Sequence, residues 1–334
     1  GNTVLRINEA PWNVVEPIVA SNLSEYGDAA IFTVGRIGGE GYDLISRNKD
    51  GDGIDKGDGL GPDYLGLNAN EVSVLEGLKA KKEAGIIKKI IVLINYAGMI
   101  EGDFIKDPAI DAALWVGASG VGNAATGQLI VGETSPSGRL PDTMWMDNAK
   151  NPVNVNFGSW LYQNAADYGV SMMVGGGIYP EATLSSYVVY QEGMYLGYRY
   201  TETRYEDTVL KTPKVGSFKY DEVVAYPFGH GLSYADIEYG DVNVTKKGAR
   251  EYEVSVTVTN KATSKYPAKY SVPVYISKPY GDYARENNIQ VPSVELIDFE
   301  KTKLLNPGES DTLKITLDEK FFASYDAYGA QGYV

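Results

Sequence analysis

The stretch AAIFTVGRIGGEGYD, at residues 29–43, decides how the first half of this chain folds. Its first six residues form a short apolar run with β-branched members, which is typical of a buried strand. The strand runs directly into a loop in which Gly38, Gly39 and Gly41 surround the carboxylate of Glu40. In open α/β sheets, ligands bind beyond the carboxyl ends of the strands, so this loop lies where a functional site is expected.

Further strands and helices alternate along the chain up to about residue 145. Residues 70–82 carry apolar side chains at helical spacing, and residues 122–130 form a helix of small residues that ends at Gly132. Residues 88–95 (KKIIVLIN) and 112–116 (AALWV) are apolar runs typical of strands. This alternation predicts an α/β sandwich, a mostly parallel sheet with covering helices, as a domain of residues 1–145.

A different pattern begins near residue 236. Residues 252–260, 270–277 and 313–317 alternate apolar and polar side chains with period two, and turn signals separate these segments. Short alternating strands of this kind predict an all-β antiparallel sandwich over residues 236–334. Residues 146–235, rich in Gly, Tyr, Asn and Pro, are interpreted as the loop-rich remainder of the first domain and a linker.

The composition narrows the class of partner. The formal net charge is −14, which argues against nucleic acid or an anionic membrane surface, because both select basic patches. A neutral ligand such as a sugar fits this charge better. The chain has no cysteine, so disulfides and thiolate metal sites are excluded. No apolar run approaches the roughly 20 residues that a bilayer-spanning helix needs.

The glycine-rich loop at residues 35–43 is a poor phosphate-binding loop. It lacks the Lys-Ser/Thr pair of a P-loop, and its glycine spacing does not match the dinucleotide-binding fingerprint. A glutamate in its middle would also repel phosphate. Glycines let the backbone turn sharply and leave an acid projecting without bulky neighbours. From pattern alone, Glu40 is therefore either a catalytic acid or a solvated loop acid.

The acidic stretch at residues 48–59 resembles a calcium-binding loop in part. Asn48, Asp50 and Asp52 place oxygen ligands at alternate positions, and the stretch also offers a glycine for the turn. The twelfth position is Gly59, where such a loop needs a bidentate glutamate. A flexible acidic loop is the alternative that this mismatch favours.

Seven motifs, in order from about residue 29 to 328, resemble those of glycoside hydrolase family 3. Residues 35–43 resemble the family's SGEGYD segment, and residues 135–141 (SPSGRLP) resemble NPSGRLP. The other matching segments lie at 92–101, 115–132, 190–200 (YQEGMYLGYRY) and 226–234 (YPFGHGLSY), and at 256–260 together with 304–309 in a fibronectin type III-like region. The order and number of these matches make the resemblance specific.

The resemblance implies a retaining exo-β-glycosidase, most closely a β-glucosidase that removes terminal glucose from β-glucosides. Such enzymes combine a (β/α)8 barrel, an (α/β)6 sandwich and a fibronectin type III-like domain. The barrel supplies the nucleophilic Asp, and the sandwich supplies the acid/base Glu, which Glu40 matches here. Tyr42 and Asp43 flank this acid and are candidates for sugar contact. No cofactor is implied; the expected partners are the substrate and the barrel domain.

The chain departs from the family pattern because it has no SDW-type nucleophile segment and no room for a barrel. It is interpreted as an internal fragment of a longer enzyme, which lacks the first strands of the α/β domain and the last strand of the type III-like domain. A circularly permuted enzyme, with its barrel after residue 334, and a normal-order enzyme cut before Gly1 are both compatible with this. We expect the isolated chain to be inactive.

Three other residues draw attention within the motifs. His230 is the sole histidine of the chain, and it lies among turn glycines at a domain junction, where packing is the expected role. Arg139 and Arg199 could pair with buried carboxylates, and a structural role is expected for them rather than substrate contact.

Several alternatives stay open. A β-xylosidase or an exo-glucanase shares these motifs, and a non-catalytic carbohydrate-binding or interaction module would be built from the same two domains. A nucleotide-binding α/β protein is disfavoured by the glycine spacing. The compartment and any homo-oligomeric state are not decided by the sequence.

Overall fold

The computed structural model describes residues 9–36, 65–118, 120, 123–156, 171–174, 177–183 and 190–334. The first part contains α1 (Trp12–Glu25), β1 (Ala30–Gly35), α2 (Ala69–Glu83), β2 (Ile90–Asn95), β3 (Ala112–Trp115) and α3 (Asn123–Ile130). The three strands are parallel and adjacent in the order β1-β2-β3. The predicted α/β architecture with a parallel sheet is confirmed.

The core of this part lies between the parallel sheet and helix α2. Phe32 and Val34 of β1 and Val92 of β2 are buried, and they pack with Leu75 and Leu78 on α2. The helical spacing of residues 70–82 is therefore confirmed for the face that carries the two leucines. Val72, which the same spacing placed on the apolar face, is 44% exposed instead.

Helix α1 packs on α2 through the close approach of Trp12 to Gly77. The Trp12 amide donates to Ser73 Oγ at 3.1 Å, and a Cβ on Gly77 would overlap the Trp12 ring. The contact exists because a glycine in the middle of α2 leaves room for the indole, although glycine is a poor helix former.

We expect Gly77→Ala to lower the free energy of unfolding by about 1–2 kcal/mol. The cost of overpacking against Trp12, about 1–3 kcal/mol, exceeds the gain in helix propensity. Gly127→Ala on α3 is the matched control, because a Cβ there meets nothing within 4 Å. That control should stabilise the chain by up to about 1 kcal/mol. Urea unfolding measures both; equal stabilisation by the two changes would contradict the Trp12 contact.

The middle of the chain contains β4 (Met144–Trp145), α4 (Pro152–Asn156), β5 (Ser171–Val174), β6 (Gly177–Thr183), α5 (Tyr198–Leu210) and β7 (Val224–Tyr226). Strands β4 and β7 pair antiparallel, as do β5 and β6. Helix α5 was not foreseen in a segment interpreted as loop-rich, because its Tyr and Thr residues are weak helix formers. Tertiary contacts described below hold it in place.

The C-terminal part contains β8 (Ile237–Lys246), β9 (Glu251–Asn260), β10 (Ser271–Ile276), α6 (Asp282–Glu286), β11 (Glu295–Lys301), β12 (Ser310–Asp318), β13 (Tyr325–Asp326) and β14 (Gly332–Tyr333). Antiparallel strands form one sheet in the order β12-β9-β8, and β10 pairs with β11 in another. The predicted antiparallel sandwich is confirmed.

The interior of the sandwich comes from alternate residues of β9 and β12. Val254 and Ile315 pack against Val274 of β10 and Ile297 of β11. On β8, Val242 and Val244 pair with Val256 and Val254 and so share their face of the sheet. They nevertheless stay 63% and 65% exposed, which leaves an apolar stripe along β8.

Candidate active site

The predicted site residues of the glycine-rich loop lie outside the described residues. These are Glu40, Tyr42, Asp43, Asn48, Asp50 and Asp52, which all fall within residues 37–64. Their roles therefore stay predictions. The structure does describe both ends of this segment, Arg36 on one side and Leu65 on the other, and these ends form the base of the candidate site.

The segment leaves the sheet at the carboxyl edge of its strands. Gly35 at the end of β1 pairs with Asn95 at the end of β2, and Ile94 pairs with Trp115 at the end of β3. Because the three strands are parallel, all three carboxyl ends meet at this edge, the usual location of ligand sites in open α/β sheets. The Trp115 indole donates to the Gly98 carbonyl at 3.2 Å and fixes the loop after β2.

Arg36, the first residue after β1, is held in a buried bidentate ion pair. Its Nη1 lies 2.6 Å from Glu71 Oε1, and its Nη2 lies 2.9 Å from Glu71 Oε2. The two side chains are only 2% and 0% exposed. Nη2 also donates to the Gly66 carbonyl at 2.5 Å, and Nη1 donates to the Gly35 carbonyl at 2.7 Å. The planar guanidinium thus joins the end of β1 to the segment that precedes α2.

Glu71 reaches this position because it is the third residue of α2 and forms a capping box with Asn68, the residue before the helix. Asn68 Oδ1 accepts from the amides of Asn70 and Glu71, each at 2.9 Å, and Glu71 Oε2 accepts from the Asn68 amide at 2.8 Å. A carboxylate at this end of a helix is also favoured by the helix dipole. The start of α2 and the end of β1 therefore share one buried polar cluster.

Glu101 is a second buried carboxylate beside the same segment. Its Oε1 accepts from the Asn148 amide at 2.7 Å, and its own amide donates to the Leu65 carbonyl at 2.9 Å. A Cβ on Gly66 would lie 2.8 Å from Glu101 Oε2, so a larger residue there would displace the carboxylate. Leu65 and Gly66 are thus held from two sides, by Arg36 and by Glu101.

The two motifs at 135–141 and 226–234 lie against each other. The Leu140 amide donates to the His230 carbonyl and the Gly229 amide donates to the Leu140 carbonyl, each at 2.8 Å. Ser135 Oγ lies 2.9 Å from Ser233 Oγ. These contacts build a junction between the α/β part and the antiparallel sandwich.

Arg139 belongs to this junction, but its observed contacts differ from the expected one. Its Nη1 donates to the Gly231 carbonyl, and its guanidinium lies 4.3 Å from the centroid of the Tyr270 ring at the start of β10. The expectation of a carboxylate partner is thus replaced by a carbonyl and a cation–π contact.

His230 packs on Tyr226, with ring centroids 4.8 Å apart. Burial lowers the pKa of its imidazole below the ordinary value of 6.5, and the positive charges of Arg139 and Lys106 lower the pKa further. The ring is therefore neutral at neutral pH, which suits packing at the junction.

We expect the NMR titration of His230 to have its midpoint below 6.5. Because the folded pKa is lowered, the folded chain resists a proton that the unfolded chain accepts, so stability falls as the pH drops below 6.5. His230 is the sole histidine, so its ring signals need no assignment by mutation. The chain unfolded in urea supplies the reference midpoint; a folded midpoint at or above that reference would contradict the packing.

Arg199 does have the expected carboxylate partner. Its Nη2 lies 3.6 Å from Glu295, whose side chain is 9% exposed, and Lys278 Nζ lies 2.5 Å from the same carboxylate. The neighbouring Tyr198 ring stacks on Phe228 at 4.7 Å, and its hydroxyl accepts from the Leu296 amide at 2.8 Å. These contacts fix the first turn of α5 against β11 and explain why a helix forms there.

Arg36, Glu71 and Glu101 were not predicted as site residues from the sequence. The Asn-x-x-Glu pattern at 68–71, just before an apolar helical stretch, is a capping-box signature that would have placed Glu71 at a helix start. No local pattern pairs Glu71 with Arg36, because the two residues are 35 positions apart in the chain.

Metal-binding clusters and membrane-spanning helices are both absent from the described ranges. Those residues contain no group of three or more His, Asp or Glu side chains that could hold a metal ion. The acidic stretch with Asn48, Asp50 and Asp52 lies outside them, so the calcium hypothesis is untested. None of the helices in the described ranges is long and apolar enough to cross a membrane.

Known proteins resemble this chain over nearly its whole length. A β-glucosidase from Ruminococcus albus is 28% identical over 96% of the chain, and an exo-α-(1→6)-L-arabinopyranosidase from Bifidobacterium longum is 31% identical over 80% of it. The solved structure of β-glucosidase 3B from Thermotoga neapolitana matches with a TM-score of 0.67 and 28% identity over 96% of the chain. The chain spans only 27%, 28% and 36% of these three proteins, respectively.

Two domain families match the sequence directly. The glycosyl hydrolase family 3 C-terminal domain matches residues 17–198, which include the parallel sheet and the glycine-rich loop. The fibronectin type III-like domain matches residues 270–333 in the antiparallel sandwich. The chain therefore belongs to glycoside hydrolase family 3, of which it carries the C-terminal α/β domain and the fibronectin type III-like domain.

Proposed function

We propose that this chain supplies the general acid/base of a retaining exo-β-glycosidase of the β-glucosidase type, and that Glu40 is that residue. The observation that supports the proposal is the position of the end of β1 at the carboxyl edge of the parallel sheet. In the sequence, Glu40 follows five residues after Gly35, the last residue of β1. Four extended residues span at most about 14 Å, so chain connectivity keeps Glu40 near the buried Arg36.

The chemistry needs a second carboxylate, which we place on a (β/α)8 barrel that this chain does not contain. The barrel Asp attacks the anomeric carbon while the bond to the leaving oxygen breaks, and Glu40 gives its proton to that oxygen. The ionised Glu40 then takes a proton from water as the water oxygen attacks the glycosyl-enzyme. This step frees the Asp, releases the sugar with retained configuration and restores the protonated Glu40. The two carboxyl groups must lie about 5–5.5 Å apart.

Terminal β-linked glucose is the sugar that we propose for the complete enzyme. Tyr42 and Asp43, next to the acid, are proposed to contact it. The arabinopyranosidase from Bifidobacterium longum, 31% identical to this chain, favours a second candidate, a pyranoside other than glucose. The 4-nitrophenyl glycosides of β-glucose, β-xylose and α-L-arabinopyranose separate these candidates by their kcat/KM values in the complete enzyme.

The proposal is tested by producing the chain alone and joined to the barrel encoded in its parent reading frame. Only the joined form is expected to hydrolyse an aryl β-glucoside, because the chain alone lacks the nucleophile. Turnover by the isolated chain, free of any barrel polypeptide, would overturn the division of the two carboxylates. A joined enzyme that hydrolyses none of the three glycosides would favour a non-catalytic module.

A further inference from the structure

We propose that the Arg36–Glu71 ion pair is a positioning device for the loop that carries Glu40, an inference that rests on the proposed function. Arg36 precedes residues 37–64, and it is bound to Gly66 and Glu71, which follow them. Arg36 directly precedes the segment in the chain, and its Nη2 donates at 2.5 Å to the carbonyl of Gly66, the second residue after the segment. Arg36 and Glu71 do not touch substrate in this proposal.

The burial of this pair is hard to explain by stability alone. Both side chains are almost completely removed from water, and desolvating two charges usually offsets the attraction between them. Well-packed apolar residues often stabilise a core as well as such a pair does. What the pair adds is a fixed geometry, because a planar guanidinium binds a carboxylate in one plane and in one orientation.

The geometry extends beyond the pair itself. Among the described residues, Arg36 donates to both oxygens of Glu71, to the Gly35 carbonyl at the end of β1 and to the Gly66 carbonyl before α2. Glu71 is held in turn by the Asn68 amide at the start of α2. Hydrogen bonds thus anchor the residues on either side of the loop to a strand and a helix, which are rigid elements.

A lysine cannot reproduce this arrangement. Its ammonium is a single point charge with three donors on a flexible stem, whereas the guanidinium of Arg36 donates to Glu71, Gly35 and Gly66 in fixed directions. Arg36→Lys keeps the charge of the buried pair and loses the simultaneous hold on Gly66 and both carboxylate oxygens. It therefore separates the charge of Arg36 from its geometry.

The test uses the complete enzyme, in which this chain is joined to its barrel, and a series of aryl β-glucosides with leaving groups of increasing pKa. For Arg36→Lys we expect kcat/KM to fall by about 10²-fold with the poorest leaving group, since a misplacement of about 1 Å costs this much. With the best leaving group, which needs no proton, kcat/KM should stay within about 3-fold of the parent.

A matched control is the ion pair at the opposite end of the same strands. Lys88 Nζ lies 2.6 Å from Asp28, with the two side chains 74% and 90% exposed. Lys88→Met breaks this pair, and kcat/KM should not change with any leaving group, because the pair lies at the amino end of β1 and in water.

Either of two results for Arg36→Lys overturns the proposal. A loss of equal size with every leaving group makes the pair merely structural, and an unchanged kcat/KM throughout removes any role. If Arg36→Lys does not fold, the double substitution Arg36→Met/Glu71→Leu replaces it, and full activity with poor leaving groups in that variant overturns positioning. If Glu40→Gln is equally active, the proposed function itself fails, whatever Arg36→Lys does.

Discussion

Glu40→Gln in the complete, barrel-joined enzyme is expected to lower kcat/KM for a β-glucoside with a poor leaving group by about 10²–10⁴-fold. Glutamine keeps the size of the side chain but has no proton to give to the leaving oxygen. With an activated aryl leaving group the fall in kcat/KM should be much smaller, since that oxygen departs without protonation. The measurement is a leaving-group series of kcat/KM values at constant pH.

A matched Glu→Gln change on the surface provides the control. Glu76 lies on α2, where its side chain is 60% exposed and pairs with Lys79 at 2.8 Å. Exposed ion pairs of this kind contribute little to stability because water screens the two charges, so Glu76→Gln should leave the free energy of unfolding and kcat/KM close to those of the parent. Hydrolysis of poor-leaving-group substrates by Glu40→Gln at the parent rate would contradict the assignment of Glu40.

The second large effect is expected on folding rather than on catalysis. Arg36→Met in this chain should lower the free energy of unfolding by about 3–5 kcal/mol, because it leaves the carboxylate of Glu71 buried without its partner. Glu71→Leu should lower the free energy of unfolding by a similar amount. It leaves the buried guanidinium of Arg36 without the Glu71 carboxylate, and it breaks the capping box at the start of α2. Guanidinium chloride unfolding measures both single variants.

The double variant Arg36→Met/Glu71→Leu should recover most of that loss, because two apolar residues of similar volume need no charge partner. A double-mutant cycle then gives the interaction between the two side chains separately from their burial. Lys88→Met, which breaks an ion pair exposed to water, should leave the free energy of unfolding close to that of the parent. Single variants as stable as the parent would contradict the description of Arg36 and Glu71 as a buried, mutually dependent pair.

Much of the architecture was predictable because local patterns carry it. The strand expected at 29–34 is β1 (Ala30–Gly35), and the strand expected at 313–317 lies within β12 (Ser310–Asp318). Each is a run of β-branched or alternating apolar residues with turn residues beside it, and neighbours in the sheet only reinforce these preferences.

Helix α5 was not predictable by the same means. Its residues Tyr198–Leu210 include several tyrosines and threonines, which have low helix propensity and make no clear apolar stripe. The helix exists because its first turn is bound to a distant strand, through Arg199 to Glu295 and through the Tyr198 hydroxyl to the Leu296 amide. Contacts between residues about 100 positions apart have no signature in a local window.

The candidate site likewise has one part that follows from a local sequence pattern and one part that depends on contacts between distant residues. The glycines around Glu40 form a contiguous pattern, so Glu40 is a candidate catalytic acid from the sequence alone, with a solvated loop acid as the alternative. The buried base of the loop depends on Arg36, Gly66 and Glu71, which come together only after the strand and the helix have packed. Polar side chains of this kind resemble surface residues in a sequence, and only their burial reveals their role.

The central claim, that Glu40 is the acid/base of a retaining glycosidase, is tested most directly by azide rescue of Glu40→Ala in the barrel-joined enzyme. With an activated aryl β-glucoside, the glycosyl-enzyme forms without help from an acid. Its hydrolysis is then slow, because no general base activates the attacking water. Azide needs no base, so we predict a higher kcat and a β-glucosyl azide product. No change in rate with azide, or water as the only acceptor at the parent rate, would contradict the claim.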